Sequence, residues 1–373
     1  METMTGMQET IFSEGSRYFE ALLQDIDQAS LSIDLETYIF ELDSVGRQVA
    51  DHLAEASRRG VAVRLLVDGV GSSSWNDDLT LQLEQAGVIV RIFRPLPWHI
   101  LRWQRSLTHL PWLAKIRHLL ETMNRRNHRK ICLIDRRLAW VGSFNISRHH
   151  LPRAQGGEGW RDTAVRLAGN SFDELQNAFD SAWVDDRFQI GRKIFSVSRF
   201  RLNHIRKHRL RHDLLARISL CHSRIWIANA YFVPNSLFLR HLKRAARKGV
   251  NVMILLPGNS DVFFIPWASA VFYQNLLKSG VRIFEYMESV LHVKIMIVDD
   301  WFTVGSSNLD HRSLSYNLEI DVVLAEPGSK TAVQQQFLDD LTHSQEVFLR
   351  DCPHRPWWKR AIGRLILYVK HWL

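Results

Sequence analysis

The sequence predicts an α/β protein made of two homologous halves. Three observations carry this: a strand–helix–strand pattern that occurs twice in the same order, a glycine closing a helix at the matching place in each copy, and a polar motif that recurs near the end of each copy. Alternation of this kind favours sheets covered by helices. Two copies of one unit predict a pseudo-two-fold molecule with a site where equivalent edges meet.

The elements repeat in order. LSIDLETYIF (31–40), a helical run over 44–59 and GVAVRLLVDG (60–69) in the first half match RIWIANAYFVP (224–234), LFLRHLKRAARKG (237–249) and GVNVMILLPG (249–258) in the second. Next, LEQAGVIVRIF and LLKSGVRIFEY each place a glycine, Gly87 and Gly280, between helix and strand. Glycine accepts positive φ at little cost and so ends helices well. The Val/Ile/Leu-dense runs read as strands buried on both faces. Each half closes with a strand and a helix, DTAVRLAGNSFDELQNAFDSAW (162–183) and EIDVVLAEPGSKTAVQQQFLDDL (319–341). Ser171 with Glu174, and Thr331 with Gln334, have capping-box spacing.

Composition narrows the class. The chain has 373 residues, enough for two ordinary cores, with 46% hydrophobic and 23% charged residues, the range of a folded globular protein. Net charge is +9, which points to a polyanionic partner: nucleic acid, an anionic membrane or a phosphorylated substrate. Cys132, Cys221 and Cys352 lie far apart without a CxxC, which excludes a disulfide framework or a cysteine zinc site. The first residues, METMTGMQETIFSEG, lack a basic region followed by an apolar core, so no signal peptide is expected. The most apolar stretch, 262–277, is broken by Pro266, Gln274 and Asn275 and reads as a buried or interfacial segment, not a span.

The chemistry sits in two motifs. His128-Arg129-Lys130 runs to Asp135 and then Gly142-Ser143-Phe144-Asn145; His292-Val293-Lys294 runs to Asp299 and then Gly305-Ser306-Ser307-Asn308. Period-two geometry puts each His and Lys on one face of a strand and the residue between them on the other. Each half then offers an imidazole, an ammonium, a hydroxyl and an amide. Facing each other, they form a metal-free phosphate pocket with donors for the equatorial oxygens. Two histidines suit two-step transfer, one attacking phosphorus and the other moving a proton. Each needs an acceptor on its other ring nitrogen, and Asp162 and Glu319 follow the motifs as candidates.

With these motifs, the sequence resembles the phospholipase D superfamily, and more closely its bacterial cardiolipin synthase branch of the B type. NHRKICLIDRRLAWVGSFN and LHVKIMIVDDWFTVGSSNLDHRSLSYNLEI carry the likeness, which extends over most of residues 12–345. The resemblance implies two phospholipase D-like α/β/α halves related by a pseudo-two-fold axis, with the active site at their interface. It implies catalytic His128 and His292, phosphate-binding Lys130 and Lys294, phosphate-side Ser143, Asn145, Ser306 and Asn308, histidine-orienting Asp162 and Glu319, and structural Asp135 and Asp299. His128 is read as the nucleophile and His292 as the general acid/base. No cofactor and no metal are expected. The second motif is one residue shorter between Asp299 and Gly305 than the first between Asp135 and Gly142.

The expected organisation is a first domain over 1–186 with an insert at about 94–126, a basic linker over 187–212, a second domain over 213–345 and a tail over 346–373. The insert holds Trp98, Trp103 and Trp112 among Arg94, Arg102, Arg105, Lys115, Arg117, Arg125 and Arg126. Tryptophan beside cations suits a lipid interface, although a packed helical hairpin is the competing reading. The tail, with Trp357 and Trp358, reads as an interfacial anchor against the alternative of a docked helix. The linker has nine Lys/Arg and no acid; a solvated face and anionic lipid contact are equally served.

The function implied by the resemblance is transfer of a phosphatidyl group from one phosphatidylglycerol to the headgroup hydroxyl of another, giving cardiolipin and glycerol. Phosphatidylethanolamine or glycerol are further candidate substrates. Hydrolysis by the same site, as a phospholipase D or nuclease, is the second reading. A non-enzymatic basic membrane protein is the third, and two intact His-x-Lys pairs count against it. Nucleic acid is the weaker partner because the chain has no compact recognition helix or zinc module. The expected location is the bacterial inner membrane, peripheral, on the cytoplasmic face.

Overall fold

A computed structural model describes residues 7–95, 125–169, 171–184, 199–352 and 356–368. Trp98, Trp103 and Trp112 of the insert, and linker residues 187–198, lie outside the described residues.

The first half contains β1 (Gln8–Phe12), α1 (Gly15–Gln28), β2 (Ser32–Thr37), α2 (Ser44–Arg58), β3 (Ala62–Asp68), α3 (Asp77–Gln85), β4 (Ile89–Phe93), β5 (Ile131–Ile134), β6 (Leu138–Gly142), β7 (Ala164–Ala168) and α4 (Asp173–Trp183). The second contains β8 (Phe200–Leu202), α5 (Asn203–Leu220), β9 (Arg224–Asn229), α6 (Ser236–Arg247), β10 (Asn251–Asn259), α7 (Ile265–Leu277), β11 (Arg282–Val290), β12 (Lys294–Val298), β13 (Trp301–Gly305), α8 (His311–Ser315), β14 (Ile320–Val323), α9 (Pro327–Thr342), β15 (Ser344–Val347) and α10 (Trp357–Tyr368).

Strand order makes the repeat exact in topology. The first sheet runs β4-β3-β2-β5-β6-β7-β1, and the second runs β11-β10-β9-β12-β13-β14-β8, with β15 added at the β11 edge. In both, three parallel strands are followed by an antiparallel run. The local signals hold at the helix ends: Asp43 and Asn235 cap α2 and α6 through their side chains, and Gly87 and Gly280 take φ of 94° and 88°. Two capping expectations do not hold. Phe172 occupies the N-cap of α4, and the Ser171 hydroxyl instead donates to Asp173. Helix α9 starts at Pro327, so Thr331 is already inside it; proline's fixed φ and missing N–H suit a first turn.

Alternation along the motif strands decides what lies between the halves. Ile131 and Leu133 of β5, with Ile295 and Ile297 of β12, share one core with Phe179 of α4 and Phe337 of α9. Cys132 and Ile134 face the outer core of the first half, and Met296 and Val298 that of the second. The inner faces of both sheets are thus sealed against each other through α4 and α9.

The motif aspartates are structural anchors. Asp135 accepts from the Ser30, Leu31 and Ser32 amides, and Asp299 from those of His222, Ser223 and Arg224, so each ties the end of its hairpin to the turn before β2 or β9. Their positive φ, 52° and 51°, is the left-handed turn conformation that aspartate tolerates. Part of the basic linker also has a structural use. Phe200–Leu202 completes the second sheet, buried Arg199 pairs with Glu9 and donates to the Val323 carbonyl, and Arg201 pairs with Asp213. These residues are neither a solvated face nor a lipid contact. Glu9 in turn accepts from the Ala325 and Glu326 amides, fastening the N-terminal strand to the second half.

Candidate active site

The two motif histidines open into one pocket, with Lys130 and Lys294 buried behind its lining. His128 and His292 line it together with Asn145, Asn308, Tyr38, Tyr231, Trp160 and Asp261. Each histidine enters just before the catalytic strand of its half and is registered by a backbone bond across the interface. The His128 amide donates to the Leu318 carbonyl (3.0 Å), and the His292 amide to that of Arg161 (2.8 Å).

The side chains cross the interface too. His128 Nδ1 lies 3.0 Å from Glu319 Oε2 of the second half, and His292 Nδ1 lies 2.8 Å from Asp162 Oδ1 of the first. Both acids have no exposed surface. With Nδ1 engaged, Nε2 is the ring nitrogen left for the pocket in each histidine. The lysines lie beside them: Lys130 Nζ donates to the His128 carbonyl (2.9 Å), and Lys294 Nζ to that of His292. Asn145 accepts the Ile39 amide at 3.3 Å through its side-chain oxygen, which leaves its amide N–H groups for the pocket.

Ser143 and Ser306 stand elsewhere than expected. Neither borders the pocket and both are fully buried. Ser143 Oγ donates to the Thr163 carbonyl and accepts the Thr163 amide, bracing the residue after Asp162. Ser306 Oγ donates to Glu319 and accepts the Ile320 amide. Their place is behind the acids, outside the lining of the pocket. The intervening Arg129 points away, as alternation requires, and is fully buried against Glu36 (2.8 Å) and the Ala178 carbonyl. Arg126, at the end of the insert, is also buried, on Asp68, so it is unavailable to a lipid surface.

Burial governs the electrostatics. It pushes Lys130 down to about 7, with Lys294 adding to the fall, and Lys294 down to about 8. It lowers His128 well below the ordinary imidazole value, with both lysines reinforcing it, and lowers His292 as well. Glu319 is raised by burial to about 7. Asp162 goes the other way: burial works to raise it, but His292 and His150 overcome that and hold it well below the carboxylate range. Two poorly solvated ammonium groups close together behind the pocket are costly without an anion beside them, which suits the site to a phosphodiester.

Several residues in and behind the pocket were not picked out from sequence alone. Tyr38 packs edge-on against His128 (4.8 Å between rings) and lies under Lys130 (5.2 Å). Tyr231, at the matching place in the repeat, donates to Asp261. The paired segments LETYIF and ANAYFVP carried that signal. Trp160, 5.9 Å from the His292 ring, and the buried His150 had no repeat partner of like type to mark them.

A family model described as "Cardiolipin synthase, PLD-like domain" matches residues 22–183 and 214–341. Among curated relatives, cardiolipin synthase B of Escherichia coli (strain K12) is 31% identical over 366 residues, covering 93% of this chain and 84% of that protein. Cardiolipin synthase 1 of Bacillus anthracis is 31% identical over 359 residues, covering 90% of this chain and 67% of that protein. Among solved structures, phosphatidylserine synthase of Haemophilus influenzae Rd KW20 superposes with a TM-score of 0.67 at 11% identity, covering 98% of this chain and 94% of that one. Polyphosphate kinase of Porphyromonas gingivalis gives 0.64, also at 11% identity, over 92% of this chain and 49% of that one. At such identity these two speak for the fold alone.

Proposed function

The chain belongs to the phospholipase D-like cardiolipin synthase family, and from that premise we propose that it is a phosphatidyltransferase that makes cardiolipin and glycerol from two molecules of phosphatidylglycerol. The observation that carries the proposal is the reciprocal arrangement of the histidines: two imidazoles in one pocket, each with Nδ1 on a carboxylate of the opposite half and Nε2 left for substrate.

The proposed reaction has two steps. His128 Nε2 attacks phosphorus while His292 gives its proton to the departing glycerol oxygen, so a P–N bond forms as a P–O bond breaks. The headgroup hydroxyl of a second phosphatidylglycerol then attacks the phosphatidyl-histidine. Its proton passes to His292, the P–N bond breaks, and cardiolipin leaves. Lys130, Lys294, Asn145 and Asn308 meet the phosphoryl oxygens. One phosphodiester replaces another, so the transfer needs no nucleotide.

The partner is a phospholipid bilayer, which we place on the cytoplasmic side of a bacterial inner membrane. No helix among the described residues is long and apolar enough to cross a membrane. Helix α10 docks on α7, with Trp358 edge-on to Trp267 (5.3 Å), yet it leaves Trp357 74% and Leu365 67% exposed. Lys359 lies over both docked rings. Both readings of the tail, docked helix and interfacial anchor, therefore have support. Phe263, 70% exposed, continues this apolar surface, and its neighbours Val262 and Phe264 line the pocket. A face that seats aromatic rings at headgroup depth and cations on lipid phosphates would bring the pocket to the membrane.

The test is incubation of the purified protein with phosphatidylglycerol vesicles, followed by mass spectrometry of the lipids. Cardiolipin with stoichiometric free glycerol is expected. Phosphatidic acid without cardiolipin would replace transfer with hydrolysis.

A further inference from the structure

The two acids differ in what holds them from behind. The residue eight positions after the motif glycine is His150 in the first half, counted from Gly142, and Ser313 in the second, counted from Gly305. His150 is buried, and its Nδ1 lies 2.8 Å from Asp162 Oδ2 in a short, bent contact. Since His292 Nδ1 occupies Asp162 Oδ1 at 2.8 Å, one carboxylate faces two ring nitrogens, one per oxygen. On its far side, His150 Nε2 accepts the backbone N–H of Asn145 at 3.2 Å. A nitrogen that accepts cannot carry the proton, so the proton of neutral His150 is on Nδ1, facing Asp162. The carboxylate then faces an N–H at each oxygen, and a proton of its own would clash with one of them.

Glu319 is held differently. Its partners are His128 Nδ1 and the hydroxyls of Ser306 and Ser313. A hydroxyl turns to donate or to accept, so it tolerates the acid in either protonation state.

We propose that His150 is a positioning residue which keeps Asp162 ionised, and thereby makes His292 the histidine that holds the proton and His128 the nucleophile. This rests on the two-histidine transfer reading above. An imidazole against a full carboxylate keeps its proton more readily than one against an acid that shares it. His150 also joins the proton-holding side to the phosphate side, because Asn145 is at its other nitrogen.

The experiment compares the whole protein with its His150→Ser variant, which copies the second half, on two donors. One is phosphatidylglycerol, whose glycerol must be protonated as it leaves. The other is a phosphatidyl p-nitrophenol, whose leaving group needs no proton. The variant is expected to lose about 10- to 100-fold in kcat/KM for phosphatidylglycerol, which reports the first step, and less than about 3-fold in kcat/KM for the nitrophenyl lipid. His150→Asn, which restores an N–H near Nδ1, should recover most of the loss and serves if the serine variant does not fold. Peptide mapping of the quenched wild-type enzyme should find the phosphatidyl adduct on His128. Equal losses on both donors, or an adduct on His292, would overturn the assignment while leaving the transfer reaction intact. Turnover with no adduct on either histidine would overturn both.

Discussion

Glutamine at position 319 tests the nucleophilic side. In the wild type, the ionised acid accepts from His128 Nδ1 at 3.0 Å and leaves the Nε2 lone pair free for phosphorus. Burial raises Glu319 to about 7, so it is ionised above that pH and protonated below it. A protonated Glu319 donates to Nδ1 and moves the ring proton to Nε2, which blocks attack. The rate should therefore fall as the pH drops through 7, by about tenfold for each further unit. Glu319→Gln removes this titration. It also removes a hydrogen bond to a charged group, worth about 1.5–3 kcal/mol, or roughly 10- to 150-fold in rate. Glutamine is near isosteric, and Ser306 and Ser313 still have an amide to meet. Initial rates of cardiolipin formation from pH 5 to 8 measure both effects. The variant should be slow at pH 8 and nearly flat below 7. An acid limb near 7 that survives the substitution would refute Glu319 as the group that sets the tautomer of His128.

Three further outcomes follow from other parts of the molecule. Alanine at His128 or at His292 should abolish turnover and leave binding to phosphatidylglycerol vesicles unchanged in a sedimentation assay; turnover unchanged in both would sink the enzymatic reading. Serine at Phe263 and Trp357 together should weaken vesicle binding, each ring being worth about 1.5–3 kcal/mol of burial, while cleavage of a monomeric short-chain lipid stays the same; equal vesicle binding would remove α10 and its neighbour from the contact face. Arg129→Ala leaves Glu36 buried without its cation and should cost about 3–5 kcal/mol in denaturant unfolding. That cost should be greater at pH 8 than at pH 5, because a buried Glu36 raised by desolvation takes up a proton as the pH falls.

The parts legible in the sequence were those that repeat. The succession of strands and helices along the chain, the closing glycines, the His-x-Lys faces and the candidate acids each occur twice, so each copy checks the other. What was not legible depends on contacts between segments far apart in the chain. Nothing local says that Asp162 serves His292 rather than its own half's His128; that follows from how the sheets dock. Ser143 and Ser306 share the motif with Asn145 and Asn308, yet they turn inward to brace Thr163 and Glu319. The charge of Arg199 and Arg201 reads as solvent-facing until Glu9 and Asp213 are known to meet them. His150 is one of a pair of adjacent histidines in a single 3-10 turn, and in the sequence nothing separates it from its less buried neighbour His149.

The exchange of acids between halves makes competence an all-or-none property of the whole chain. The first half, as it leaves the ribosome, already holds a histidine, a lysine and a carboxylate. Its histidine has no carboxylate behind it until Glu319 has been synthesised and docked, 191 positions later in the sequence. A chain clipped before Glu319 therefore lacks the carboxylate that faces His128 Nδ1.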